Sequence, residues 1–125
     1  MNAIGRTRWA IAEGFIPPYS MEGADRALIS HEAACILNAN DEVAHVTITV
    51  YFVDREPIGP YRVEVPARRT LHLRFNELND PQPIPIGTDY ASVIESDVPI
   101  VVQHTRLDSR HAEIALISTT AFPAG

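Results

Sequence analysis

Ten prolines spread along the 125-residue chain limit what it can fold into. Proline removes a backbone donor and clashes with the preceding helical turn, so these positions interrupt any long helical pattern. Between them, apolar and polar residues alternate with a period of two, which is typical of half-buried β-strands. In the clearest example, residues 45–52, the side chains of Val46, Ile48, Val50 and Phe52 share one face. The sequence therefore predicts an all-β protein.

The same alternation predicts where the strands and longer loops lie. Residues 61–65 and 71–75 show the same alternation. Less regular patterns predict four further strand segments, at residues 7–13, 29–38, 90–95 with 100–106, and 112–119. Residues 14–28 and 76–88 are predicted loops. The expected fold is a single antiparallel domain over residues 1–125, a β-sandwich or jelly-roll-like fold of about eight or more strands.

Two predicted strand segments are apolar on both faces. They are residues 33–37 and 114–117. An antiparallel sheet normally has one solvated face, so a strand without a polar face needs an additional cover. We expect a second protomer to supply it.

Composition and charge exclude several classes of protein. The chain has no run of 18 apolar residues for a transmembrane helix. Its net charge of −6 argues against a general nucleic-acid coat or a binder of anionic membranes, and we expect no direct membrane insertion. With a single cysteine, Cys35, no intrachain disulfide can form, and a cytoplasmic location is expected.

No pattern in the sequence predicts catalysis. Ser30, His31 and Glu32 are consecutive, but a strand points His31 away from the other two, so they cannot relay a proton. The five histidines lack the spacing of a metal site. We therefore expect no enzyme activity, no metal and no cofactor.

The densest polar stretch, residues 104–110, follows an apolar strand. Alternation puts His104 and Arg106 on the same face as the apolar residues 100 and 102, so an inner face turns polar at its end. We expect Glu32 or Asp108 to hold the Arg106 guanidinium, with its remaining donors free for a ligand. The alternative is an Arg–Asp pair in a tight turn.

The first predicted strand suggests a related feature. Trp9 and Glu13 share a face by alternation, and an aromatic plate beside a carboxylate is suited to a sugar ring. The alternative is that Trp9 belongs to the core. Polar groups in apolar strands need partners, so we expect them to gather at one cleft. The candidate ligand-binding residues are Trp9, Glu13, His31, Glu32, Asn38, His104, Arg106 and Asp108.

One basic patch is a candidate for nucleic-acid contact. It contains Arg68, Arg69 and Arg74. No aromatic side chains are interleaved with these arginines, and the acidic net charge opposes DNA, so a solvated face is the alternative.

The chain resembles the sensory rhodopsin transducer family over essentially its whole length. The resemblance rests on GRTRWAIAEGFIPPY at residues 5–19, ISHE at 29–32, CILN at 35–38, GPYR at 59–62, VPARRT at 65–70, RFN at 74–76 and VPIVVQHTRLDSR at 98–110.

This resemblance implies a soluble β-sandwich that assembles as a homotetramer. It implies association with a membrane-embedded sensory rhodopsin on the cytoplasmic side, as a non-enzymatic carrier of a light signal. It also implies two alternatives, a small-molecule or sugar-binding module and a DNA-linked regulator.

Overall fold

The computed structural model describes residues 3–111 and 113–125, which form strands and two short 3-10 helices. No helix in this described part is long and apolar enough to cross a membrane. The 3-10 helices are Arg26–Leu28 and Phe75–Glu77. The strands are β1 (Arg6–Phe15), β2 (His31–Asn38), β3 (Ala44–Phe52), β4 (Ile58–Val65), β5 (Arg69–Arg74), β6 (Asp89–Asp108), β7 (Ala115–Thr120) and β8 (Phe122–Pro123).

The strands form two antiparallel layers that share β6. The first sheet has the order β4-β3-β6-β1-β8. The second sheet has the order β5-β2-β6-β7. The N-terminal half of β6 pairs with β1 and β3, whereas its C-terminal half pairs with β2 and β7. The 20-residue β6 therefore passes from one sheet to the other and ties the layers together.

The core lies between the inner faces of the two sheets. In β3, the alternation seen in the sequence buries Val46, Ile48 and Val50 almost completely. Ile36 of β2 and Val102 of β6 contribute from the second sheet, and neither is exposed. Each such side chain stabilises the fold by about 1.5–3 kcal/mol relative to an exposed one. The prediction of an all-β sandwich is confirmed.

Three details of the strand prediction are wrong. The strands predicted at residues 90–95 and 100–106 are one continuous strand, because the chain stays extended through the crossing. Phe75, predicted as the end of a strand, begins a 3-10 helix. The two-residue β8 was not predicted, because it is too short to show a period. Residue 112 of the predicted strand 112–119 lies outside the described residues.

The two segments that are apolar on both faces differ in the fold. Within residues 33–37, Ala33, Ala34 and Ile36 are buried, while Leu37 is exposed. All six residues of β7 are exposed in the single chain. We therefore expect a second protomer to pack against β7 above all. This contact stays a prediction.

Candidate functional site

A buried carboxylate lies where the two sheets meet. Glu32 is on the inner face of β2 and has no exposed surface. Its Oε1 accepts hydrogen bonds from the Phe15 backbone N–H at 2.7 Å and from Arg106 Nε at 2.7 Å. Its Oε2 contacts Nε2 of His104. We call Glu32, His104 and Arg106 the Glu32 cluster.

The pairing of β2 with β6 builds the Glu32 cluster from distant parts of the chain. Arg106 is directly opposite Glu32 in the register, and His104 is opposite Ala34. Phe15 ends β1 in the first sheet. The Glu32 carboxylate therefore joins the second sheet to the first, and the Arg106 charge offsets part of the cost of burying it.

Two aromatic side chains, Phe15 and Tyr90, lie close to the Glu32 cluster. The Arg106 guanidinium lies 5.9 Å from the centre of the Phe15 ring, and that of Arg110 lies 5.6 Å from the same ring. Burial, with a smaller effect of the Glu32 charge, raises the pKa of Tyr90, so its phenol stays neutral. The Tyr90 hydroxyl and Arg106 Nη2 are both buried, and neither has a hydrogen-bond partner among the described residues. One donor within the cluster and one beside it are thus left unsatisfied by the part of the chain that the structure describes.

The structure brings four of the eight candidate ligand-binding residues together. Glu32, His104 and Arg106 form the cluster, and Glu13 Oε1 lies 3.9 Å from Arg106 Nη2. The pairing of Arg106 with Glu32 is one of the two arrangements expected from the sequence. The other does not occur, because Asp108 pairs with Arg110 at 2.7 Å, which is the Arg–Asp pair that the sequence offered as the alternative. Arg110 lowers the pKa of Asp108 through these hydrogen bonds.

Trp9 and Glu13 do not share a face, which corrects the prediction. The pairing of β1 with β6 shifts between Ile11 and Gly14, so strict alternation fails there. Glu13 consequently points outward, with 82% of its side chain exposed. Trp9 belongs to the core, where its indole Nε1 donates to the carbonyls of Arg6 and Ile100.

Asn38 and His31 are also outside the Glu32 cluster, so the candidates do not gather at one cleft. Asn38 is at the opposite end of β2 from Glu32, roughly 20 Å along the strand. Its Nδ2 donates to the carbonyls of Glu42, Val65 and Pro66, which is a structural role at the end of the strand. His31 is on the outer face of the second sheet, as alternation from Glu32 requires.

The three arginines of the predicted basic patch are separated. Arg69 and Arg74 are at opposite ends of β5, roughly 16 Å apart along the strand. Arg68 pairs with Asp41 at 2.9 Å. Arg74 is half-buried and donates to the carbonyl of Arg26. The structure therefore does not join them into one surface, and nucleic-acid contact stays a prediction.

Sequence reasoning did not select Phe15, Tyr90 or Arg110 as neighbours of the Glu32 cluster. Phe15 and Tyr90 are in separate strands, and only the strand register brings them to Glu32. In the described part of the chain, no three side chains of the His, Cys, Asp or Glu types are grouped as metal ligands.

The fold and the cluster define a class: a small antiparallel β-sandwich protein whose main polar cluster is buried between its sheets. The sequence model of the family described as Anabaena sensory rhodopsin transducer matches residues 4–123. The chain therefore belongs to the Anabaena sensory rhodopsin transducer family.

Two solved structures resemble the chain closely. The Anabaena sensory rhodopsin transducer is 63% identical, with 84% of this chain and 100% of that chain covered and a TM-score of 0.72. The crystal structure of Thermotoga maritima 1070 is 34% identical, with 97% of each chain covered and a TM-score of 0.85. The comparison with curated proteins finds no match.

Proposed function

We propose that this protein carries a light signal from a membrane-embedded sensory rhodopsin to a cytoplasmic target by protein–protein contact, without catalysing a reaction. The observation that carries the proposal is family membership, strengthened by 63% identity to the Anabaena sensory rhodopsin transducer along all of that chain.

Exposed apolar side chains support a role in protein contact. Leu116 and Ile117 of β7 are 65% and 56% exposed, and Phe122 of β8 is 69% exposed. Apolar side chains grouped on a surface mark interaction sites more often than scattered ones do. We assign β7 to contact between copies of the chain in a homotetramer.

The proposal is tested by titrating the protein into the detergent-solubilised sensory rhodopsin of the same organism. We expect saturable binding heat at micromolar concentration and a change in the rhodopsin photocycle. A light-driven proton pump in the same detergent is the matched control and gives neither signal. Absence of both signals with the sensory rhodopsin contradicts the proposal.

A second candidate function is the binding of a small polar molecule, such as a sugar, beside the Glu32 cluster. The favouring observation is that the Tyr90 hydroxyl and Arg106 Nη2 are buried and find no hydrogen-bond partner in residues 3–111 and 113–125. Buried polar groups of this kind are normally satisfied, so a ligand is one way to complete them.

A thermal-shift screen of sugars and polar metabolites tests the second candidate. A ligand at about 100 times its Kd adds about 2.7 kcal/mol to the free energy of unfolding. Arg106→Lys keeps a positive charge beside Glu32 but removes the unpaired donor Nη2. The variant should therefore show no increase in melting temperature when the ligand is added. A flat screen with the wild-type protein contradicts this function.

A further inference from the structure

A cavity of about 340 Å³ opens on the outer face of the second sheet, away from the Glu32 cluster. We call it the outer-face cavity. Its polar lining comes from four elements: β2, β5, β6 and the 3-10 helix before β2. The lining side chains are Arg26, His31, Cys35, His72, Arg74 and Thr105.

The strand register explains why a concave site forms there. Ala33 pairs with Arg74 on one side and with Thr105 on the other. Its methyl group is the small floor between two longer side chains, and it is only 5% exposed. Cys35 is the next outward residue of β2, directly opposite His72 of β5.

The lining of the outer-face cavity carries unbalanced positive charge. Burial, together with the nearby charge of Arg26, lowers the pKa of Arg74. Two carboxylates lie near these arginines: Glu77 pairs with Arg26 at 3.1 Å and is itself largely exposed, whereas Asp25 accepts from the backbone N–H groups of Ala27 and Leu28. Arg74 Nη1 donates to the backbone carbonyl of Arg26 rather than to a carboxylate. A bound anion would therefore stabilise the charged form of a half-buried guanidinium that lies next to a second one.

The local charge contrasts with that of the whole chain. The protein has a net charge of −6, yet two arginines and two histidines line one cavity. Guanidinium groups match the oxygens of carboxylate and phosphate, and imidazole and hydroxyl groups add donors. We infer that the outer-face cavity binds a small anion bearing a carboxylate or phosphate group. This inference does not depend on the rhodopsin contact.

Cys35 provides a site-specific reporter, because it is the chain's single cysteine and lines the cavity. The experiment measures, by mass spectrometry, how fast iodoacetamide alkylates Cys35 in the native protein. Inorganic phosphate and citrate are the two probes, each compared with sodium chloride at equal ionic strength. At about ten times its Kd, a bound anion should slow alkylation roughly tenfold.

Two arginine variants separate specific binding from general salt effects. Arg74→Gln removes a charge but keeps a donor for the Arg26 carbonyl. It should raise the Kd of the anion about tenfold and so weaken the protection of Cys35. Arg26→Gln is the second variant, used if circular dichroism shows that the first does not fold. Arg55→Gln is the matched control, because it loses the same charge beside Asp54 in the loop between β3 and β4. It should retain full protection.

Four results would overturn the inference. The first is that neither probe slows the alkylation of Cys35. The second is that Arg74→Gln and Arg26→Gln are protected as well as Arg55→Gln. The third is that Cys35 is alkylated only after unfolding, which means that the cavity is closed. The fourth is protection by a short DNA duplex and by neither probe, which means that the surface contacts nucleic acid instead. Protection by phosphate alone or by citrate alone supports the site and identifies its preferred group.

Discussion

At the scale of single residues, the Glu32 cluster shows how a sandwich accommodates a buried charge. Removing a carboxylate from water costs several kcal/mol unless charges and hydrogen bonds replace the solvent. Arg106 supplies the opposite charge, while the Phe15 backbone N–H and the His104 ring also contact the Glu32 carboxylate. The carboxylate therefore contributes to the fold only while these partners remain in place.

We predict that Glu32→Gln lowers the free energy of unfolding by about 3 kcal/mol, because it leaves the Arg106 charge without its buried partner. Urea denaturation at fixed protein concentration measures the loss. Glu13→Gln is the matched control: Glu13 approaches the same guanidinium at 3.9 Å but is largely exposed, so its loss stays below about 1 kcal/mol. Equal losses for the two variants would show that burial is not the cause.

At the scale of strands, the sequence predicted the regular parts of the fold better than the irregular ones. Alternation identified β3 and its buried face because side chains in a strand alternate by local geometry alone. It did not predict that β6 continues from one sheet into the other, since that depends on pairing with four other strands.

The candidate site follows the same rule. Alternation correctly put His104 and Arg106 on the inner face of their strand, and Glu32 was one of two expected partners. Glu13 was misassigned because an irregularity in β1 changes the face of the residues that follow it. Asn38 was misassigned because its side chain hydrogen-bonds the backbone at the end of β2. From the sequence alone, an asparagine in that role looks the same as one that binds a ligand.

The approach of β1 to the crossing region of β6 makes a second prediction. Gly5 has φ +111°, and a Cβ added there would lie 2.1 Å from the carbonyl oxygen of Ile100. Gly5→Ala should therefore lower the free energy of unfolding by about 3 kcal/mol, through backbone strain and overpacking together.

Gly23→Ala is the control for Gly5→Ala. Gly23 also has a positive φ, +76°, but no atom of the described residues lies within 4 Å of its added Cβ. The Gly23→Ala variant should lose only about 1 kcal/mol of unfolding free energy, which is the cost of a positive φ for a residue with a Cβ. Thermal and urea unfolding of both variants distinguish the two effects. A similar loss in both would mean that the close approach of β1 to β6 does not restrict the site.

At the scale of the whole molecule, the exposed apolar residues are unevenly distributed. Val53, at 88% exposure, is in the loop between β3 and β4. In β7, by contrast, Leu116 and Ile117 are adjacent in a strand that pairs only with β6 among the described strands. A free strand edge with apolar side chains on both faces favours self-association. The outer-face cavity is lined mainly by β2 and β5, toward the other edge of the same sheet.

We therefore predict that the protein is a tetramer at micromolar concentration and that Leu116→Asp dissociates it, because an unpaired charge buried in an interface costs several kcal/mol. Leu116 is a better choice than Ile117, since Arg106 is opposite Ile117 in the register and would pair with an introduced carboxylate. Light scattering after size-exclusion chromatography measures the mass. Val53→Asp adds the same charge at an exposed position in the loop between β3 and β4, outside β7, and should remain tetrameric. A monomeric wild-type protein, or a tetrameric Leu116→Asp variant, would mean that β7 is not the contact between copies.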